Sequence, residues 1–200
     1  MPGDSAATAN AITESLDLFR IGLLGFIVMV IADVLVSWAL YVLFVPVNKG
    51  FSLLAAWLRL VNSALFGIEM VYLFDVLQLL SSAEYADALG LSLLQAQVML
   101  SLNGFDMTWL IGLIFFGLHL VMLGYLIVKS GFIPKIIGML LFIAAFGYLI
   151  DSFAHLLLPS ASYEALEAIL TLLVIVPGIV GELSLTLWLL IKGVTEPGAE

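Results

Sequence analysis

Nine ionisable side chains interrupt the apolar stretches of this chain, and their types could support chemistry. An arginine with carboxylates can hold an ion pair or a charged ligand, and imidazole with carboxylates can bind a metal or move a proton. If the apolar stretches cross a bilayer, such residues usually face protein or water and pair with one another. The nine residues are Asp33, Arg59, Glu69, Asp75, Asp106, His119, Asp151, His155 and Glu182.

Four of the nine are expected to share one depth in the membrane. At a rise of 1.5 Å per residue, Arg59 lies roughly 13 Å from the start of its predicted span, and His119 and Glu182 lie roughly 15 Å from the ends of theirs. Asp33, about 18 Å in, is close enough to join them. Because buried charges need partners, we expect Arg59 to meet Glu182 or Asp33. These four residues are the candidate ligand or ion-pair site, named here the inner cluster.

A second polar group is expected nearer the outer surface. Tyr148, Asp151, Ser152 and His155 follow one another at i, i+3, i+4 and i+7, which places them on one face of an otherwise apolar helix. That face is expected to contact protein or water. With Glu69, at a similar depth, these residues are named here the outer stripe.

Several of these residues also have a purely structural interpretation. Asp106 is expected to cap the third predicted span, Asp75 to reach the outer headgroups, and His155 to be hydrated at the outer interface. Asp151 with His155 can be a simple intrahelical pair. For the inner cluster the alternative is a structural ion pair with a hydrogen-bonded histidine.

The composition predicts an all-α membrane protein. Hydrophobic residues make up 64% of the 200 residues, only 10% are charged, and the mean hydropathy is +1.23. Each helical crossing needs about 20 apolar residues, so we expect a bundle of five transmembrane helices plus a short interfacial helix. Six Lys and Arg, none in a run, exclude nucleic acid as a partner. Without cysteine, a metal site would need histidine and carboxylates.

Five apolar stretches must position the charged residues. Residues 81–90 predict the short helix, because Ser81 and Glu84 have capping-box spacing and Gly90 can end a turn. The segment 91–103 predicts either an interfacial segment or an extension of the third span. The predicted spans are approximately 18–45, 51–80, 106–129, 134–158 and 162–192.

Glycine, proline and capping residues refine these boundaries. Asn103 and Gly104 predict a kink if the third span extends backwards, and Pro177 with Gly178 predicts another in the fifth. Gly131 is expected to end the third span, and Ser162 is expected to cap the fifth. The resulting organisation is a polar N-terminal segment at 1–17 without signal-peptide features, a transmembrane domain at 18–192 and a C-terminal tail at 193–200.

The basic residues predict an orientation in the cell membrane. Five alternating spans bring four lysines to one side, which the positive-inside rule makes cytoplasmic. The C-terminus is then cytoplasmic and the N-terminus of this chain lies outside. The lysines are Lys49, Lys129, Lys135 and Lys192.

A set of short motifs resembles a bacterial integral membrane family, domain of unknown function 4386. The motifs are PGDSAATAN at 2–10, LYVLFVPVN at 40–48, LAAWLRLV at 54–61, FFGLHLVMLGYLIVKSGFIPKIIG at 115–138, GYLIDSF at 147–153 and GELSLTLWLLIKG at 181–193. The resemblance implies a compact helical membrane bundle and no established activity. The family pattern has a further hydrophobic helix before the PGD segment. Either the start of this chain is truncated or this is a shorter member of the family. Without that helix the number of spans is odd, and a groove is expected where the helix would pack.

Three classes of function are consistent with the sequence. The first is a protein that binds or transports a small molecule or lipid through a polar intramembrane cavity, and its partners are the bilayer and that ligand. The second is a structural or accessory membrane protein without a ligand, in which polar residues serve folding alone. The third, less favoured because no HExxH or nucleophile motif is present, is an intramembrane metal-dependent enzyme. No catalytic residue, metal or cofactor is assigned, and an oligomer is compatible with the sequence.

Overall fold

The computed structural model describes residues 4–193, and every regular element within that range is an α-helix. Five of the helices are long and apolar enough to cross a membrane, namely α2, α3, α5, α6 and α7. This confirms the predicted all-α class with five spans and a short additional helix. The elements in chain order are α1 (Ser5–Glu14), α2 (Leu16–Phe44), α3 (Lys49–Ser81), α4 (Ala83–Leu89), α5 (Leu91–Ser130), α6 (Lys135–Leu157) and α7 (Ser160–Lys192).

The turns between helices fall where glycine or proline interrupts an apolar run. Gly90 and Gly131 have φ values of +74° and +75°, a left-handed conformation that a side chain disfavours. The chain therefore ends α4 and α5 at these glycines, as the sequence predicts. Pro134 and Pro159 directly precede α6 and α7, where a fixed φ suits a helix start.

Helix α5 is longer than its apolar core alone predicts. It runs without interruption through Asn103 and Gly104, so the segment 91–103 is an extension of the third span. The prediction that Asp106 caps this helix was therefore wrong, because Asp106 lies inside it. A Cβ on Gly104 would lie 2.6 Å from Cε1 of Tyr72, so the glycine permits a close helix contact. That packing offsets the weak helix propensity of glycine, a cost of about 1 kcal/mol.

Three other helix starts differ from the sequence prediction. Helix α7 begins at Ser160 after Pro159, so Ser162 lies within the helix and does not cap it. Helix α4 is preceded by Ser82, because α3 continues as far as Ser81. Helix α1 was not predicted, although Asp4 caps it by accepting a hydrogen bond of 2.9 Å from the backbone N–H of Ala7.

The described residues group into two compact units, and three of the long helices contribute a segment to each. The first unit comprises residues 4–35 and 61–112, and the second comprises residues 36–60 and 113–193. In the first unit, Leu23, Met70 and Leu73 form a core that Phe26 and Phe105 extend by an edge-to-face contact. A neighbouring core of this unit contains Ala9, Val76, Leu94 and Val98.

Glycines bring the helices of the second unit into close contact. A Cβ on Gly124 of α5 would lie 2.9 Å from the carbonyl oxygen of Gly138 of α6. A Cβ on Gly147 of α6 would lie 2.5 Å from the carbonyl oxygen of Leu173 of α7. Small residues at such contacts let membrane helices approach and gain dispersion energy. The buried core of this unit includes Leu120, Leu126, Ile127, Leu141, Ala144 and Ala145.

Large apolar side chains cover the exposed faces of the long helices. Trp38, Leu157 and Leu190 are 66%, 77% and 76% exposed. Water would solvate such surfaces poorly, whereas lipid chains solvate them well. This pattern agrees with helices that cross a membrane.

Candidate functional site

The site in the second unit is built around Arg59 and His119. Arg59 lies ten residues after the start of α3, roughly 15 Å along the helix, which is about half the thickness of a hydrocarbon core. His119 of α5 is 1% exposed. Its Nε2 lies 3.2 Å from Nη1 of Arg59, and its Nδ1 lies 2.9 Å from the carbonyl oxygen of Ala55.

These two contacts define the protonation of the His119 ring. A carbonyl oxygen only accepts, so Nδ1 of His119 must carry the hydrogen that it donates to Ala55. The guanidinium of Arg59 only donates, so Nε2 must accept from it. His119 is therefore a neutral imidazole that fixes the guanidinium and has no unused ring nitrogen.

Two serines hold α2 and α3 together beside this pair. Ser37 donates a hydrogen bond of 2.9 Å to the carbonyl oxygen of Ala56, and Ser52 donates one of 2.8 Å to that of Tyr41. Both serine side chains are 1% exposed. Interhelical hydrogen bonds of this kind position α3, and with it Arg59, in an apolar environment.

Aromatic rings connect Arg59 to Glu182. The guanidinium carbon of Arg59 lies 5.5 Å from the centre of the Phe116 ring, which is a cation–π distance. The Phe116 ring meets the ring of Tyr148 edge to face, with 5.4 Å between their centres. The hydroxyl of Tyr148 donates a hydrogen bond of 3.2 Å to Oε1 of Glu182. Four of the long helices therefore contribute to one polar array, since the carboxylate comes from α7.

Arg59 and Glu182 line the same cavity. Its volume is about 290 Å³, close to the lower limit of about 300 Å³ that is typical of ligand pockets. Apart from Arg59, Glu182 and Thr186, all of its lining residues are apolar. Those residues are Val36, Leu40, Leu120, Leu123, Leu141, Leu185, Leu189 and Leu190.

The lining of the cavity combines exposed and buried side chains. Leu190 at its edge is 76% exposed, and Val36 and Thr186 are also exposed. Leu120 and Leu141, at 1% and 0%, form its inner wall. The cavity that Arg59 and Glu182 line is therefore partly open.

The structure brings together three of the four residues of the inner cluster. All three, Arg59, His119 and Glu182, belong to the second unit; Arg59 and Glu182 line one cavity, and His119 contacts Arg59. Asp33 lies in the first unit, where its carboxylate accepts a hydrogen bond from Ser63. The pairing of Arg59 with Glu182 or Asp33 stays a prediction.

The residues of the outer stripe have different surroundings. Tyr148 belongs to the polar array with Arg59 and Glu182, whereas Asp151 accepts a hydrogen bond of 3.1 Å from the hydroxyl of Tyr163. The ring centre of His155 lies 4.4 Å from that of Tyr163, and His155 is exposed. Ser152 is fully buried, and within the described part of the chain its hydroxyl has no hydrogen-bond partner.

Glu69, the remaining member of the outer stripe, lies in the first unit and is 1% exposed. Glu69 belongs to α3, whereas the other residues of the outer stripe belong to α6. Across residues 4–193, no three His, Asp or Glu side chains gather as potential metal ligands.

Sequence reasoning missed Phe116 and the carbonyl of Ala55. The spacing of Phe116 and His119, three residues apart, is the only signal for the first, because it places both on one helical face. A backbone carbonyl carries no sequence signal at all.

Comparison with known proteins gives a family but no activity. The sequence model described as domain of unknown function (DUF4386) matches residues 1–193. A protein of Archaeoglobus fulgidus named "Uncharacterized protein" is 32% identical over 171 residues, which cover 86% of this chain and 83% of that protein. No solved structure matches the chain.

Proposed function

This chain belongs to the DUF4386 family, and we propose that it binds or transports a small amphiphilic molecule, such as a single-chain lipid, through the cavity of Arg59 and Glu182. One observation carries the proposal: both charged side chains line a cavity whose other walls are almost entirely leucine and valine. Apolar walls with a few placed polar groups are typical of ligand pockets. The archaeal source of the relative shows that similar proteins are not confined to bacteria.

The two charges suggest how the ligand is recognised. Guanidinium suits a carboxylate or phosphate headgroup, and Glu182 suits a hydroxyl or an amine. His119 and Phe116 hold the guanidinium, and Tyr148 holds Glu182, so both groups are positioned before a ligand arrives. Such preorganisation lowers the entropic cost of binding.

A photoreactive fatty acid tests the binding proposal. The probe carries a diazirine in its acyl chain, the purified protein is labelled in detergent micelles, and the modified residues are mapped by mass spectrometry. We expect labelling at Leu123, Leu185 or Leu189. Substitution of Thr186→Trp should fill the cavity and reduce labelling about tenfold, which corresponds to about 1.4 kcal/mol of binding free energy.

Leu187→Trp is the matched control. Leu187 is exposed on the same helix and does not line the cavity. Equal labelling in the two tryptophan variants would refute binding in this cavity. Competition by a long-chain amine that is weakened by Glu182→Gln, but not by Arg59→Gln, would identify Glu182 as the headgroup partner.

Transport requires a separate measurement. In proteoliposomes, movement of the same fatty acid between leaflets is followed by extraction into albumin. Transport through the cavity predicts slower movement with Thr186→Trp or Glu182→Gln than with the wild type. Equal rates would restrict the function to binding.

A structural role is the second candidate, and the hydrogen bonds between Arg59 and His119 and between Tyr148 and Glu182 favour it. In that case Arg59→Gln and Glu182→Gln would lower stability without affecting any probe. We further propose that the protein lies in the cell membrane as a multi-pass protein with the lysine-bearing turns and the C-terminus in the cytoplasm. The predicted tail, 193–200, lies outside the described residues apart from Gly193.

A further inference from the structure

Glu69 and Asn62 of α3 present buried oxygen atoms that lack hydrogen-bond donors. Both side chains are 1% exposed. Among the described residues, neither carboxylate oxygen of Glu69 nor Oδ1 of Asn62 has a hydrogen-bond partner. Buried acceptors are nearly always satisfied, because an unsatisfied one costs roughly 1–3 kcal/mol and more if it is charged. Three such atoms close together indicate a ligand that supplies the missing interaction.

The oxygens converge beside Gly112 of α5. A Cβ on Gly112 would lie 3.1 Å from Oδ1 of Asn62 and 3.7 Å from Oε1 of Glu69. Asn62 and Glu69 are seven residues apart, so they lie on one face of α3 about two turns from each other. The absence of a side chain at Gly112 leaves room beside both oxygens. The third nearest atom to this position is Cβ of Leu65, at 3.8 Å.

Charge and donor chemistry define the ligand. One carboxylate and one amide oxygen carry a single negative charge, so one monovalent cation neutralises the site, whereas a divalent cation would leave an excess positive charge in an apolar region. If the Asn62 side-chain amide were rotated by 180°, its N–H groups would face the Glu69 carboxylate, but they would not neutralise its negative charge. We propose that Glu69 and Asn62 form a binding site for one small monovalent cation, a proton or Na⁺, beside Gly112. A proton bound to Glu69 would be donated towards Oδ1 of Asn62, and Na⁺ would be coordinated by the same oxygens.

Glu69 is the charged group of the proposed site, because the other titratable groups described in the first unit are hydrogen-bonded, packed elsewhere or exposed. Asp33 of α2 accepts a hydrogen bond from Ser63, and Tyr72 packs against Gly104 of α5. The other acidic and basic side chains of this unit within the described range are exposed. A cation effect that depends on Glu69 is therefore separable from surface titration by substituting that residue alone.

Thermal unfolding of the full-length protein in detergent micelles tests the site. The midpoint Tm is measured against NaCl concentration, with choline chloride keeping the ionic strength constant, and the series is repeated at several pH values. A cation that binds only the folded state raises Tm with its concentration. We expect the wild type to show a shift of several degrees and Glu69→Gln to show none, because the amide carries no charge to neutralise.

A steric pair of variants covers the case in which Glu69→Gln fails to fold. Gly112→Ala keeps the charge but places a methyl group 3.1 Å from Oδ1 of Asn62, so it should weaken the cation dependence. Gly67→Ala is the control, since nothing lies within 4 Å of its Cβ position. Trp109, stacked on Phe66 at 5.1 Å and one turn before Gly112, gives an independent fluorescence reading in a variant whose other tryptophans are phenylalanine.

Each result shows either that a cation binds at Glu69 and Asn62 or that none does. A Tm that rises with Na⁺ at constant pH identifies Na⁺, and a Tm that depends on pH alone identifies a proton, provided that Gly112→Ala or Glu69→Gln reduces the effect. If the wild type responds to neither, or if both variants respond as the wild type does, the proposal is wrong. Failure of fatty acid labelling in the second unit would leave this result unaffected, because the cation site uses only first-unit residues.

Discussion

Substitution of Gly147→Ala should separate α6 from α7 in the second unit. The added Cβ would lie 2.5 Å from the carbonyl oxygen of Leu173 and 3.1 Å from its carbonyl carbon. Ordinary van der Waals contacts lie between 3.4 and 4 Å. Because the clashing atoms are backbone, no side-chain rotation relieves them, and the two helices must move apart by about 1 Å.

The expected loss of stability combines three contributions. Overpacking costs about 1–3 kcal/mol, and the higher helix propensity of alanine returns up to about 1 kcal/mol. Tyr148 is the next residue, and its hydroxyl lies 3.2 Å from Oε1 of Glu182. A separation of about 1 Å would break that hydrogen bond and remove about 1 kcal/mol more. We therefore expect the free energy of unfolding to fall by about 2 kcal/mol.

Reversible unfolding in bicelles, followed by steric trapping, measures this free energy without leaving the membrane environment. Gly67→Ala is the control, because nothing lies within 4 Å of its Cβ position. That variant should be unchanged or more stable by up to about 1 kcal/mol. If Gly147→Ala is as stable as Gly67→Ala, the close contact of α6 with α7 does not constrain the helices and the reasoning fails.

Three further predictions concern the polar array and the orientation. Tyr148→Phe removes the hydrogen bond to Glu182 with little change in side-chain volume. In the same assay it should lower the free energy of unfolding by about 1 kcal/mol. An unchanged free energy would mean that water replaces the hydroxyl. His119→Phe removes both hydrogen bonds of the imidazole and should cost about 2–3 kcal/mol, whereas His119→Gln, whose amide can both donate to Ala55 and accept from Arg59, should cost less. Since the chain has no cysteine, single cysteines at Lys129 and Glu84 report topology, and a membrane-impermeant maleimide added to intact cells should label only the latter.

The sequence predicted the spans well because hydrophobic runs and their interruptions act locally. Gly90 and Gly131 end helices as expected, since the left-handed conformation is a property of the single residue. The contact between Arg59 and His119 agrees with the similar positions along their spans that helical rise predicts.

Features that depend on contacts between helices could not be predicted in the same way. The continuation of α5 through Gly104 follows from the packing of Tyr72, which lies 32 positions earlier in the chain. The grouping of Glu69 with the α6 residues rests on depth alone and stays a prediction, because depth does not determine which helices are neighbours. The hydrogen bond from Tyr148 to Glu182 was missed for the same reason, although Tyr148 was placed on a polar helix face.

The hydrogen bonds of His119 limit the reactions in which this residue can take part. A general base needs a free lone pair beside the proton it accepts, and a metal ligand needs one as well. In this structure Nε2 receives the Arg59 N–H and Nδ1 donates to Ala55. His119 can therefore activate water or hold a metal only after the guanidinium has moved. The accessibility of the Nε2 lone pair of His119 is therefore controlled by the position of the Arg59 side chain.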